Sequence, residues 1–227
     1  MGKNNQVPNG LYVRVCKRWI DALLALAGVI VLSPVYLALA LAIKLDSPGP
    51  VFFRQKRVGI HKTYFQILKF RTMRIDTPHD VPTHLLGNPD QWITRVGRFL
   101  RRTSLDELPQ IFNILAGQMS IIGPRPALWN QYDLIAERDK YGANDIRPGL
   151  TGWAQINGRD ELEIDVKARF DGEYVQRMSL AFDIRCFFGT IFSVLRHDGV
   201  VEGGTGEMHR QEQTDAGKTD EKPDGPA

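Results

Sequence analysis

From Ala22 to Ile43 the chain runs for 22 residues without a charged side chain. As a helix at 1.5 Å per residue this run is ~33 Å long, close to the ~30 Å hydrocarbon core of a bilayer. It holds seven Leu, two Ile and three Val. At roughly −0.3 to −0.6 kcal/mol each, these favour insertion by ~4–7 kcal/mol before penalties. Lipid is the environment that such a segment fits.

Three placements compete. Ala38-Leu39-Ala40 imitates the small-residue site of a cleaved signal peptide, although the apolar run is long for one. The run can also span as one kinked helix, or enter and leave on one side as a hairpin. Ser33-Pro34 sits in its middle. Proline removes a backbone donor and crowds the preceding turn, so a helix bends there, and Ser33 can take up the freed carbonyl. Arms over 22–32 and 35–43 would be about 16 and 14 Å long, enough to reach the midplane. Arg14, Lys17 and Arg18 precede the run, and Lys44, Arg54, Lys56 and Arg57 follow it. Basic flanks favour the cytoplasm. A hairpin puts both there, whereas a spanning helix strands one on the wrong side.

The length of 227 residues fits one ordinary domain with attachments, and 43% hydrophobic residues suffice for a packed core. The net charge is +3, but the tail after Val201 is net acidic, so the body is more basic than the total. A basic body suits an anionic partner: lipid headgroups, phosphates or nucleic acid. Cys16 and Cys186 are the sole cysteines, with no CxxC, which fits structural thiols in a reducing compartment.

Residues 1–16 read as a polar, loosely ordered start, 17–46 as the membrane hairpin, 47–200 as the catalytic domain and 201–227 as a disordered tail. Asp46-Ser47-Pro48-Gly49-Pro50 is a rigid turn. Val51–Arg57 and Thr63–Phe70 predict two strands of a hairpin. Residues 76–91 read as loop. Ile93–Thr103 is a short basic amphipathic stretch. Leu108, Ile111, Phe112 and Leu115 fall at helical spacing. Residues 120–126 and 147–159 read as Gly- and Pro-rich loops, and Leu162–Met178 and Phe182–Leu195 as helices. The fold class is α+β, mostly helical with a small β-hairpin and interfacial amphipathic helices.

Asp106-Glu107 leads the residues that could do chemistry. The plain alternative is structural. Ser104-x-x-Glu107 matches a capping box, and acids at a helix start complement its dipole. Either register of the cap places both carboxylates near a positive helix end and nearby arginines, which favours their ionised form. An ionised carboxylate can attack phosphorus or hold Mg²⁺. Arg125 is clamped between Pro124 and Pro126, a stiff loop offering a bidentate fork to a diphosphate. Arg101 lies just upstream of the acids, and Arg159 ends Gln155-Ile156-Asn157-Gly158-Arg159. Lys69-Phe70-Arg71-Thr72-Met73 adds charge at a strand end, where a merely solvated side chain is equally reasonable.

Five segments in order carry a resemblance. They are Phe53-Arg54-Gln55-Lys56-Arg57-Val58-Gly59, Lys69-Phe70-Arg71-Thr72-Met73, Arg101 through Gln110, Met119-Ser120-Ile121-Ile122-Gly123-Pro124-Arg125-Pro126 and Arg147-Pro148-Gly149-Leu150-Thr151-Gly152-Trp153. Together they resemble the bacterial sugar transferases, the monotopic phosphoglycosyl transferases, from about Lys17 to Arg196. Ser33-Pro34 is similar to that family's re-entrant helix break, which favours the hairpin.

The resemblance implies an enzyme that moves a sugar-1-phosphate from a UDP-sugar to polyprenol (undecaprenyl) phosphate, with release of UMP. Asp106 would be the nucleophile, forming a covalent phosphosugar intermediate, and Glu107 its dyad partner. Mg²⁺ would bridge the phosphates at Asp106, with Glu107 assisting. Lys69, Arg101, Arg125, Arg159 and Asp183 match positions that bind substrate or phosphate, and for Asp183 a simple helix cap stays open. The implied place is the cytoplasmic face of the bacterial inner membrane, in glycoconjugate or exopolysaccharide assembly. Membrane lipids, a second copy of the chain and downstream glycosyltransferases are the implied further partners, and nucleic acid is not one. The lack of an extra multi-helix N-terminal region reads as the minimal catalytic form. Two rivals remain: a Mg²⁺-dependent nucleotide-sugar hydrolase, and a non-enzymatic adaptor whose arginines bind anionic lipid.

Overall fold

The computed structural model describes residue 8 and residues 10–77, 91–158 and 162–196. The expectations for the tail 201–227, most of the 76–91 loop and Arg159 lie outside them. Helix begins earlier than the loosely ordered start foresaw: Tyr12–Cys16 form a wide π-type turn that runs into α1, Lys17–Asp46.

Helical structure in α1 continues through Pro34 instead of separating into two arms. Proline 34 cannot donate to the carbonyl of Ile30, one turn back. Ser33 Oγ donates to that carbonyl at 2.8 Å, so the freed acceptor is satisfied and the helix persists. Leu23, Leu24, Leu26, Ile30, Val31, Leu37, Leu41 and Leu45 are exposed along α1. By length and composition it could cross a membrane.

Both ends of α1 nevertheless dock on the rest of the chain. Toward its start, Asp21 is buried and accepts from Ser120 Oγ at 2.6 Å and from the Ile121 N–H at 3.2 Å. Ala25 packs with Phe65, Ile67, Ile114 and Met119. In its second half, Ile43 packs with Phe70 and Leu100. The Tyr36 hydroxyl donates to the Leu108 carbonyl at 2.6 Å. At the last residue, Asp46 Oδ2 accepts from the Val96 N–H at 3.0 Å.

The expected hairpin forms as β1, Phe52–Val58, and β2, Tyr64–Phe70, antiparallel with Phe53 opposite Lys69. The basic stretch forms α2, Arg95–Arg102, capped by Thr94 Oγ1 accepting from the Gly97 N–H. The next helix, α3, is short, Gln110–Leu115. The two Gly- and Pro-rich loops conceal a pair of strands, β3 at Ser120–Ile122 and β4 at Gly149–Thr151, which run parallel. Parallel strands need a crossover, and α4, Tyr132–Asp139, lies within it. A single turn, α5 at Trp153–Ile156, leads to α6, Ile164–Arg177, and α7, Leu180–Arg196. The α+β expectation holds, and of the two free thiols Cys186 is buried and Cys16 half-buried. Tyr174, Val175, Phe182 and Cys186 form one core with Ile122, behind the loop that carries Arg125.

Candidate active site

Asp106 and Glu107 do not open an α-helix but lie in a 3-10 turn ahead of α3. Leu105–Glu107 is a single tight turn, Pro109 precedes α3, and Ser104 makes no side-chain cap bond. The capping-box expectation is therefore overturned. Ser104 lies instead in the left-handed region at φ 55°, which reverses the chain between α2 and the acid pair. Glu107 turns its carboxylate away from backbone amides and toward cations.

Two elements supply those cations. Lys69, one residue from the end of β2, donates to Glu107 Oε1 at 2.8 Å. Arg125 reaches the same carboxylate with Nη2 to Oε1 at 2.6 Å and Nη1 to Oε2 at 3.3 Å. Lys69 Nζ also stands 3.8 Å from Asp106 Oδ2. Among the described residues, Asp106 has this one ion pair and no hydrogen bond. Arg101, in the last turn of α2, donates through Nε to Thr72 Oγ1 at 2.9 Å, and its charge acts on Asp106.

The two acids differ in acidity. Burial pushes the Asp106 carboxyl above the usual range, while Lys69, Arg101 and Arg125 pull back and Glu107 adds repulsion. Burial also works against the charge of Glu107, but Arg125 and Lys69 more than offset it and hold that carboxyl well below its ordinary range. The expectation that a helix end keeps both acids ionised is corrected. Glu107 is ionised by its cation partners, and Asp106 is the more easily protonated of the pair.

A magnesium ion takes oxygen ligands, often one or two carboxylates with phosphate and water oxygens. Among the described residues Asp106 offers a carboxylate without hydrogen bonds, whereas both oxygens of Glu107 are engaged by Lys69 and Arg125. No cluster of three His, Cys, Asp or Glu side chains forms a self-contained cage among the described residues. Asp106 is therefore the side chain that could hold such an ion.

Lys69, Arg101 and Arg125 thus gather at the acid pair, but Asp183 does not. It lies inside α7, where Lys17 Nζ, the Tyr12 hydroxyl and the Tyr174 hydroxyl donate to it. Nor is it the helix cap, since Ser179 Oγ accepts from the Phe182 N–H at 3.3 Å in that role. Its network ties the start of α1 to α7. Thr72 is a site residue to which the sequence reading gave no role, although it stood inside a quoted motif.

The comparison with known proteins decides the family. Residues 12–197 match the family described as bacterial sugar transferase. The chain belongs to that family. Within it, the chain is 46% identical over 187 residues to an Escherichia coli (strain K12) protein named UDP-glucose:undecaprenyl-phosphate glucose-1-phosphate transferase, covering 79% of this chain and 40% of that one. A Caulobacter vibrioides protein of the same name is 42% identical over 205 residues, covering 84% of this chain and 75% of its own length. The exopolysaccharide production protein ExoY of Sinorhizobium fredii is 36% identical over 194 residues, covering 79% and 85%. This sugar transferase chain therefore spans well under half of the Escherichia coli relative.

Proposed function

We propose that this bacterial sugar transferase moves a sugar-1-phosphate from a UDP-sugar to undecaprenyl phosphate, through a covalent intermediate on Asp106. The observation that carries this reading is the division of labour in the acid pair. Glu107 is saturated by Lys69 and Arg125, while Asp106 beside it has one long ion pair to Lys69 and no hydrogen bond among the described residues. A carboxylate without a hydrogen bond there, among three cations, is suited to attack an anionic phosphorus. Preorganised positive charge neutralises the diphosphate without reorganisation.

In the first step Asp106 attacks the β-phosphorus, and the bond from that phosphorus to the bridging oxygen breaks. UMP leaves with that oxygen and the bonding electron pair. A phosphate oxygen of undecaprenyl phosphate then attacks the same phosphorus, and the Asp106 carboxylate is released. Arg125 and Arg101 orient the phosphates, and Glu107 fixes Arg125 and Lys69 in place. Asp106 would hold Mg²⁺ together with the diphosphate, and the ion when bound supplies further neutralisation of phosphate charge.

A re-entrant seating in the bacterial inner membrane, with the catalytic domain in the cytoplasm, goes with this activity. It is supported by Asp21 and Asp46, near opposite ends of the apolar run, which bond to the same folded body at Ser120 and Val96. Basic residues flank both ends. The Tyr36 hydroxyl on Leu108 puts the membrane helix two residues from Glu107's neighbour Asp106, where a soluble donor and a lipid headgroup could meet.

The test is UMP release from UDP-glucose with undecaprenyl phosphate, with the labelled sugar followed into the organic phase. Label in the lipid, lost with UMP release in Asp106→Asn, is the expected result. Label that stays aqueous as sugar phosphate would make the protein a hydrolase. Undiminished UMP release by Asp106→Asn would remove the nucleophile from the scheme.

A further inference from the structure

We infer that Asn113 is a positioning residue that sets where Lys69 stands against Asp106 and Glu107. This rests on the transferase reading above and adds a residue to it that touches no substrate.

The β1–β2 sheet has two strands, so the second edge of β2 needs partners of its own. Asn113 supplies them from α3. Its Oδ1 accepts from the Leu68 N–H at 2.9 Å, and its Nδ2 donates to the Gln66 carbonyl at 2.8 Å. These two groups flank Ile67 on one edge, so the carboxamide stands in for the N–H and C=O of one residue in a parallel neighbouring strand. The second Nδ2 proton goes to Gln118 Oε1 at 2.7 Å. Asn113 is buried, so water cannot replace these bonds cheaply.

The position of that grip matters. Leu68 is the residue before Lys69, whose ammonium meets Glu107 and Asp106. The acids lie just ahead of α3, the helix that carries Asn113. The backbone carbonyl of Asn113 accepts from the N–H groups of Gln118 and Met119 at 3.0 and 3.3 Å, at the turn that leads to β3 and then to Arg125. One residue thus joins the strand of Lys69, the helix behind the dyad and the approach to the Arg125 loop. Its side chain holds the first of these most directly. Aspartate at 113 would lose both donors, and an aliphatic residue would leave Leu68 N–H and Gln66 C=O without partners.

The charged groups facing Asp106 are Lys69 from β2, Glu107 beside it, Arg101 from α2 and Arg125 from the 123–126 loop. If Asn113 loosens, Lys69 is the cation whose backbone loses its hold.

The experiment measures kcat and KM for UMP release from UDP-glucose, using the full chain in nanodiscs. Wild type, Asn113→Ala, Lys69→Met and the double variant are compared. Asn113→Ala is expected to lower kcat on the order of tenfold with KM little changed, the split of an interaction realised in the transition state, and Lys69→Met should show the same split. In the Lys69→Met background, Asn113→Ala should lower kcat no further. A rise in KM with kcat unchanged, or kcat losses that multiply fully in the double variant, would overturn the inference. Asn113→Ser is held to the same outcomes should Asn113→Ala fail to fold. Absence of UMP release by wild type would sink the transferase reading. Normal wild-type release with an unchanged kcat in the Asn113 variant sinks this inference alone.

Discussion

Arg125 grips Glu107 through both carboxylate oxygens, at 2.6 and 3.3 Å. The planar guanidinium matches a carboxylate in a way that an ammonium cannot. Arg125→Lys should therefore keep the charge but lose the fork. UMP release is expected to fall on the order of 10²-fold, the scale for losing one preorganised transition-state contact. Steady-state kinetics check this, and a loss under threefold would show that charge alone suffices.

With Asp106 as the proposed nucleophile, the enzyme should show an acidic limb above that of an ordinary aspartate. Burial raises its carboxyl, so the nucleophilic anion is depleted as pH falls through that raised value. Lys69 opposes the shift. Its replacement in Lys69→Met removes a stabilising cation, so the limb should move to higher pH. Glu107 is held well below the ordinary range and stays ionised across the same window. Adduct formation measured against pH in a quench-flow series checks the sign. A limb that moves downward in Lys69→Met contradicts this charge arrangement.

Ser104 takes a left-handed backbone at φ 55° immediately before the acid turn. That conformation costs a residue with a Cβ roughly 1–2 kcal/mol. Ser104→Gly should melt close to wild type, since relief of strain offsets the greater freedom of glycine when unfolded. Ser104→Val should be destabilised by more than ~1 kcal/mol and lose activity, because β-branched residues adopt this region least well. Thermal melting of the two variants is the check.

Much of this arrangement is local in the chain, and that part was legible. The uncharged run, the two strands expected over 51–57 and 63–70 and the arginines around Asp106 are carried by neighbours in sequence. The back-bond from Ser33 to Ile30 follows from proline chemistry alone. Ser104 was misread because a capping box is only a spacing, while its backbone angle is set by how α2 and α3 pack. Asp183 was misplaced because its partners Lys17 and Tyr12 lie more than 160 residues away. The parallel pair β3–β4 escaped notice because each strand has three residues and is rich in Gly and Pro nearby. Those glycines permit close contact: a Cβ on Gly123 would lie 2.7 Å from the Arg147 carbonyl.

Gly97 shows the same dependence on distant backbone. A Cβ there would stand 2.0 Å from the carbonyl oxygen of Thr72, and Thr72 Oγ1 holds Arg101. Gly97→Ala must push the strand end and the helix apart. It should destabilise by about 1–3 kcal/mol, the usual cost of overpacking, and weaken donor binding through Arg101. Chemical denaturation with a KM measurement checks both effects, and a variant as stable as wild type would contradict the contact.

Asp106 as a covalent nucleophile is the centre of the account, and intact-protein mass spectrometry tests it most directly. The protein is mixed with UDP-glucose in the absence of undecaprenyl phosphate and quenched within one turnover. The expected result is an added mass equal to one glucose-phosphate, mapped to Asp106, discharged by undecaprenyl phosphate and missing in Asp106→Asn. Turnover to lipid-linked product with no adduct at any quench time would contradict it.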